Sequence, residues 1–512
     1  MLVKTYAAAL MGISATVVTI EVNCTKGIQF YLVGLPDNAV RESHERIISA
    51  LQVNGYKFPR SRIVINMAPA DIRKEGSAYD LPLAIGIMAA AGELDAGALD
   101  RYMIIGELSL DGSLLPVRGV LPIALKAKEE GFKGIILPKS NAKEAAVVEG
   151  LEVYGSTNIL EVIEFIAGRR KIEPMVIDIR EEFYAKQQQF DTDFSDVHGQ
   201  ESVKRALEVA AAGGHNLLMI GSPGTGKSML AKRLPTILPP FTLQEALETT
   251  KIHSVAGKVP GNTSLITQRS FRAPHHTISA IALVGGGAYP QPGEISLAHN
   301  GVLFLDELPE FNKNVLEVLR QPLEDRKITI SRARFTQDFP AGFMLVASMN
   351  PCPCGYYNHP DHPCICTPGS IQKYMSRISG PLLDRIDIQI EVVPVPFEKI
   401  SERSTGETSA VIRERVIRAR KIQEKRFERD EGIYCNAQMD SKQLHAYAVP
   451  DAAGLKLLKN AMQKLSLSAR AYNRILKVSR TIADMDDSAD IESSHLAEAI
   501  HYRNLDRETW GV

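Results

Sequence analysis

At 512 residues the chain is long enough for about three domains. Its 45% apolar and 23% charged residues match ordinary soluble globular proteins and exclude a wholly disordered chain. Lys plus Arg (59) and Asp plus Glu (60) nearly cancel to a net charge of −1, so no global positive field advertises nucleic acid and any such contact must come from local clusters.

Lys4 followed by the apolar Tyr6–Ile13 imitates a short export signal. However, Val18, Ile20, Val22 and Cys24 alternate with Thr19, Glu21 and Asn23, which predicts a strand continuing into the fold. Ile28–Val33 is a strand candidate closed by the turn Gly34-Leu35-Pro36-Asp37. A helix is expected over Ala39–Asn54, with Val40, Ile47, Ile48 and Leu51 on one face. Ile63–Met67, Met103–Ile105 and Gly134–Leu137 read as buried strands. The longest apolar run, Leu81–Ala91, falls well short of the ~20 residues that span a bilayer. No membrane partner and a cytoplasmic location are expected. A polar stretch containing Gln187-Gln188-Gln189 then reads as a linker. The expected layout is a domain over 1–168, a linker over 169–192, a core over 193–395 with a cysteine-rich insertion at 351–367, and an all-helical part over 396–512.

The chemistry begins with Gly221-Ser222-Pro223-Gly224-Thr225-Gly226-Lys227-Ser228, a complete phosphate-binding loop between the apolar strand Asn216–Ile220 and a helix opening at Met229. Its glycines let backbone N–H groups wrap phosphates, Lys227 reaches the outer phosphates, and the Ser228 hydroxyl can ligate Mg²⁺. A second strand, Val302–Leu305, delivers Asp306 and Glu307. Asp306 is expected to bind the metal and Glu307 to polarise the attacking water. A third, Phe343–Ser348, leads to Asn350, either a γ-phosphate contact or simply a turn residue before Pro351. Six cysteines are too few for a disulfide framework, and four of them cluster as C-x-C pairs, Cys352/Cys354 and Cys364/Cys366. These can form a tetrahedral Zn²⁺ site, with His359 and His362 in the intervening loop, or remain reduced thiols.

The phosphate loop, Pro292–Gly301 and Leu303–Phe311 together resemble the magnesium-chelatase-related AAA+ ATPases. Within that group, Phe271–His276 and Asn350–Gly355 resemble the YifB/ComM family, and the likeness extends over essentially the whole chain. The resemblance implies an α/β architecture: an N-terminal ribosomal-S5-type, Lon-like α+β domain, a P-loop AAA+ α/β core and a C-terminal all-helical lid. It also implies ATP and Mg²⁺ as ligands and a homo-oligomeric ring, a hexamer, in which Arg385 completes the neighbouring subunit's site. The alternative for Arg385 is a pair with Asp384 or Asp387 in its own chain. In the lid, Arg470 matches the segment carrying a second γ-phosphate sensor, with Arg474 as the fallback one turn on.

The N-terminal domain resembles the Lon-type protease domain but departs from it where proteolysis is done. Ala78 falls at the nucleophile, Ser77 lies one residue off, and the lysine position is Leu121, so neither half of a Ser–Lys dyad sits at its matching position. The resemblance instead implies a DNA helicase or branch-migration motor acting on single-stranded or branched DNA. The alternatives are a chelatase-like ATPase remodelling a protein partner and an ATP-dependent protease. Arg332 and Arg334, on a strand-turn from Ile328 to Arg334, are candidates for pore contacts with DNA. The basic segment 411–429 fits either DNA or a solvated helix face.

Overall fold

The computed structural model describes residues 1–503 except 188, 262, 288–289, 333–334, 360, 397–405, 431 and 466. Strands β1 (Leu2–Met11) and β2 (Ser14–Thr25) form a long antiparallel hairpin, and Val18, Ile20 and Val22 are fully buried on one face of β2. The two-residue period of a strand is what converts the alternation in sequence into that face. β3 (Phe30–Val33), β4 (Arg62–Ala68), β5 (Tyr102–Ile104), β6 (Gly134–Pro138) and β7 (Glu152–Ser156) complete a mixed sheet in the order β3-β4-β2-β1-β5-β6-β7. β3 starts at Phe30 rather than Ile28, whose side chain is exposed. The expected helix runs Asn38–Val53, and the Asp37 carboxylate caps it by accepting the Val40 N–H at 2.8 Å. The apolar run at residue 81 becomes a helix, Asp80–Ala90, buried at every position.

The segment read as linker carries a helix of its own, Ile179–Lys186, capped by Asp178 and anchored by Phe183 in the N-terminal core. Phe183 is the one buried side chain among those described in this helix, which leaves no period to detect.

The second sheet is wholly parallel. Its strands are β8 (Leu217–Gly221), β9 (Phe271–Arg272), β10 (Val302–Leu305), β13 (Met344–Met349) and β14 (Ile388–Val392), in the order β9-β10-β13-β8-β14. Every residue of β8, β10 and β13 is buried, as a parallel sheet covered on both faces requires. Leu217, Met219, Phe304 and Val346 join a core with helix Glu201–Gly213 and the C-terminal helices. Leu218, Ile220, Leu305 and Ala347 join a second core on the opposite face.

A separate hairpin, β11 (Lys327–Arg332) with β12 (Phe335–Pro340), buries Ile328, Ile330 and Phe339 in that second core. Arg332 ends β11 and is described in its backbone alone, while Arg334 and Trp510 lie outside the described residues. The tip of the β1–β2 hairpin reaches this element. A Cβ at Gly12 would stand 2.3 Å from Gln337, and Ile13 packs on the second core.

Beyond residue 408 the described chain is helical, including Ser409–Arg426, Ala452–Lys464, Ala469–Met485 and Ser493–His501. The basic segment 411–429 turns inward at several positions. Arg413 donates to Thr236, Arg420 to Ala211, and Arg415 pairs with Glu208 and Glu407. No helix among the described residues is long and apolar enough to cross a membrane.

Asp484, 2% exposed, gathers Arg426 at 2.5 and 2.7 Å, Arg480 at 3.0 Å and Asn436 at 2.8 Å. Removing its carboxylate strands two guanidinium groups in the interior, so Asp484→Ala should destabilise the helical part by about 3–5 kcal/mol. Hydrogen exchange should report early loss of protection in Ala469–Met485, with the N-terminal sheet still closed. Unchanged protection there would contradict this account.

Candidate nucleotide site

β8, β10 and β13 end side by side at the carboxyl edge of the parallel sheet, the edge at which open α/β sheets bind ligands. The loop after β8 turns through Gly224 and Gly226, both at positive φ (80° and 86°). Gly221 is required for a different reason: a Cβ there would lie 2.3 Å from the carbonyl oxygen of Val392 on β14. Lys227 begins the following helix, and its ammonium is buried. It donates to the carbonyls of Gly221 (2.6 Å) and Ser222 (2.9 Å) and to Oδ1 of Asn350 (3.3 Å). Burial pulls its pKa below the usual lysine value, with Asp306 and Glu307 opposing.

The strand ends meet across this loop. The Ser228 hydroxyl donates to Asp306 Oδ2 at 2.7 Å, and the Ser348 hydroxyl, from β13, donates to Oδ1 of the same carboxylate. Glu307 takes the left-handed conformation (φ 54°), which turns its half-exposed carboxylate away from β10. His276 Nδ1 stands 3.5 Å from that carboxylate. Lys227, Ser228, Asp306, Glu307 and Asn350, read singly from sequence, are thus brought to one place.

The two lid arginines lie beside a different segment. Arg470 pairs with Asp384 at 3.0 Å, and Arg474 pairs with Asp387 at 2.9 Å. Asp387 is buried against His215 (3.1 Å). Burial opposes its ionisation, yet Arg474 and His215 hold the carboxyl well below its usual range. Arg385, only 8% exposed, takes neither Asp384 nor Asp387. It pairs with Glu324 and donates to the Pro381 carbonyl at 2.5 Å.

The cysteine insertion follows Asn350 directly. The sulfurs of Cys352, Cys354 and Cys364 are 3.3 to 3.7 Å apart, and all four, with Cys366, lie within 4.8 Å of one another. His359 is outside this group: its ring accepts the N–H groups of Asp361 and His362 and packs on Tyr356.

Several groups that complete the site escaped the sequence reading. Gln200, itself in the left-handed region, donates to the carbonyls of Thr225 (2.8 Å) and Val393 (3.3 Å) and so ties the phosphate loop to β14. Nothing local in the sequence announces that long-range link. Ser348 was detectable as a hydroxyl inside an otherwise apolar strand. His276 lies in a motif already noted for its family likeness, without a role attached.

The profile described as magnesium chelatase, subunit ChlI, matches residues 193–400, that of subunit ChlI of Mg-chelatase matches 20–141, and the ChlI C-terminal profile matches 406–503. The chain is 46% identical to the competence protein ComM of Haemophilus influenzae, over 98% of this chain and 97% of that protein. It is 44% identical to YifB of Escherichia coli, over 98% and 96% of the two chains. The chain belongs to the magnesium-chelatase-like AAA+ ATPase family, with ComM and YifB. ATP and Mg²⁺ are the ligands this family membership brings, and the residues present suit them. Ser228 and Asp306 already touch as a hard-oxygen pair, and Lys227 fills its donor capacity with backbone carbonyls and an amide oxygen.

The family site also yields a prediction about its scaffold. Gln200→Ala removes two hydrogen bonds worth about 1 kcal/mol each. Affinity for a fluorescent ATP analogue should fall about tenfold or more with the fold intact. An unchanged titration would show that the loop holds its shape without Gln200.

Proposed function

We propose that this protein is an ATP-hydrolysing motor that works on DNA as a homo-oligomeric ring, a hexamer, with a helicase or branch-migration activity. The observation that carries the reading is the convergence of Lys227, Ser228, Asp306, Glu307 and Asn350 at one sheet edge, in a chain matching a competence protein along nearly its full length. In this reading Gly221–Ser228 cradle the phosphates and Lys227 exchanges its backbone partners for phosphate oxygens. Ser228 and Asp306 hold Mg²⁺, which when bound neutralises phosphate charge. Glu307 orients and polarises the attacking water, with His276 positioned to hold that carboxylate before a substrate arrives. Asn350 meets the γ-phosphate or its water. Arg470, or Arg474 in its place, is assigned as the second sensor. The four clustered thiols hold a structural Zn²⁺, and the β11–β12 hairpin with Arg332 and Arg334 is the element assigned to DNA. The working parts follow the layout 1–168, 193–395 and 396–512, in the cytoplasm.

Proteolysis finds no support in the N-terminal domain. Leu121 is fully buried, and Lys74, shortly before Ser77 in the chain, directs its ammonium to the carbonyls of Pro69 and Ile72 (2.7 Å). The test of the motor reading is ATPase activity with and without single-stranded and branched DNA, beside strand displacement. DNA should stimulate turnover, and Glu307→Gln should lower it about 10²-fold or more while nucleotide still binds, because only a transition-state interaction is lost. Turnover indifferent to DNA, with hydrolysis intact, would instead favour a protein-remodelling ATPase.

Arg385 is assigned to the neighbouring subunit's nucleotide, where it would leave Glu324 to neutralise transition-state charge. Arg385→Ala should bind ATP and hydrolyse it poorly. Mixing it with Lys227→Ala subunits should restore part of the activity, because some interfaces then combine an intact arginine with an intact loop. Mixed rings without any recovery would reduce Arg385–Glu324 to an internal ion pair.

A further inference from the structure

The cysteine insertion is joined to the nucleotide site at three points. Its first ligand candidate, Cys352, is fully buried two residues after Asn350, whose side chain accepts from Lys227. Its turn at Gly355 (φ 87°) is seated on the phosphate loop: a Cβ there would come 2.6 Å from Cδ of Pro223. Its last cysteine, Cys366, precedes the helix Pro368–Met375, capped by Thr367, and that helix carries the buried Tyr374, whose hydroxyl faces the backbone of Asn350. The insertion therefore leaves Asn350, touches Pro223, and returns through Tyr374 to Asn350.

The four sulfurs close that circuit. Non-bonded separations of 3.3, 3.6 and 3.7 Å suit the edges of a tetrahedron with metal–sulfur bonds of about 2.3 Å, which are about 3.8 Å long. The backbone N–H of Cys366 donates to the Cys364 sulfur at 3.4 Å, the kind of donor that a thiolate needs. Without an ion, four adjacent thiols leave the loop no covalent or coordinate closure. Among the described residues this is the one cluster of such groups that could hold a metal.

We propose that a soft tetrahedral cation of the zinc class on these thiolates acts as an allosteric positioning element. Its presence fixes Asn350 and Pro223 and thereby sets the preference of the site for a nucleoside triphosphate over a diphosphate. This rests on the nucleotide-site reading above. Asn350 is the positioned residue, and the metal touches neither substrate nor reacting atoms. Coupling between two sites is typically 5- to 150-fold in affinity, and by linkage the triphosphate must tighten the metal by the same factor.

The full-length protein is stripped with a chelator and a thiol-reactive mercurial, reduced, and titrated with a non-hydrolysable ATP analogue and with ADP, before and after Zn²⁺ is returned. Binding rather than turnover is the readout, and circular dichroism checks the fold. Metal loss should weaken the ATP analogue about tenfold and ADP less than threefold, with full recovery on adding Zn²⁺. Gly355→Ala should keep the metal and reproduce the loss of preference. In Asn350→Ala, metal removal should produce no further loss, the non-additivity expected of residues acting in one chain of contacts. Equal affinities with and without metal, additive effects in Asn350→Ala, or a reduced protein that takes up no Zn²⁺ would each overturn the proposal. Lys227→Ala separates the two readings: it should lose nucleotide and retain metal. If it bound nucleotide normally, the nucleotide site itself would be misassigned.

Discussion

Burying a parallel sheet on both faces determines where the remaining chemistry of this protein can go. The strands offer no polar side chain to solvent, so charge and irregular backbone collect at the carboxyl edge, where β8, β10 and β13 terminate. Ser348, the single polar residue inside those strands, faces Asp306 and serves the edge. The site is also preloaded with substitutes for a ligand. The Lys227 ammonium is held by two carbonyls and an amide oxygen, and Ser228 and Asp306 are bonded to each other. An incoming nucleotide thus replaces existing hydrogen bonds and need not create order, which keeps the entropy cost of binding low.

Legibility in the sequence followed the range of the interactions. The phosphate loop is a contiguous string whose function depends on its own backbone, so Gly221–Ser228 declared itself. Asp306 and Glu307 followed from a short apolar run ending in acids. The N-terminal β2 strand was visible because half burial leaves a period of two. What stayed hidden depends on tertiary partners. Gln200 matters through Thr225 and Val393, Tyr374 through the backbone of Asn350, and Arg385 pairs with Glu324, sixty-one positions away. Sequence proximity favoured Asp384 and Asp387 as partners for Arg385, but lid arginines occupy those carboxylates in the folded chain. The basic helix Ser409–Arg426 was ambiguous for a related reason. A cation directed at a carbonyl and one directed at solvent have the same letter.

That exchange of partners links the lid to the core. Arg470 and Arg474, one turn apart on one helix, hold the two acids that flank Arg385. His215 and Thr481 extend the contact from Asp387 across to the same helix. A rotation of Ala469–Met485 would pull on Asp384 and Asp387 together, and Arg385 lies between them. Whatever changes the lid also changes the setting of the arginine assigned to a neighbour.

The N-terminal domain is joined to the ATPase core just as firmly. The backbone N–H of Leu121 donates to Glu144 at 3.0 Å, and the same carboxylate oxygen accepts the hydroxyl of Ser254 from helix Leu243–Val255 at 2.5 Å. Burial pushes the Glu144 carboxyl up, while Ser254 and Leu121 counter it. Phe241, Ala246 and Leu265 from the ATPase side complete the apolar core of the N-terminal domain. The β1–β2 tip at Gly12 and Ile13 braces the β11–β12 hairpin from the same domain. The N-terminal sheet is therefore held at one end to helix Leu243–Val255 and at the other to the β11–β12 hairpin. Any displacement of that hairpin during ATP turnover must either carry the N-terminal sheet with it or break the contact at Gly12.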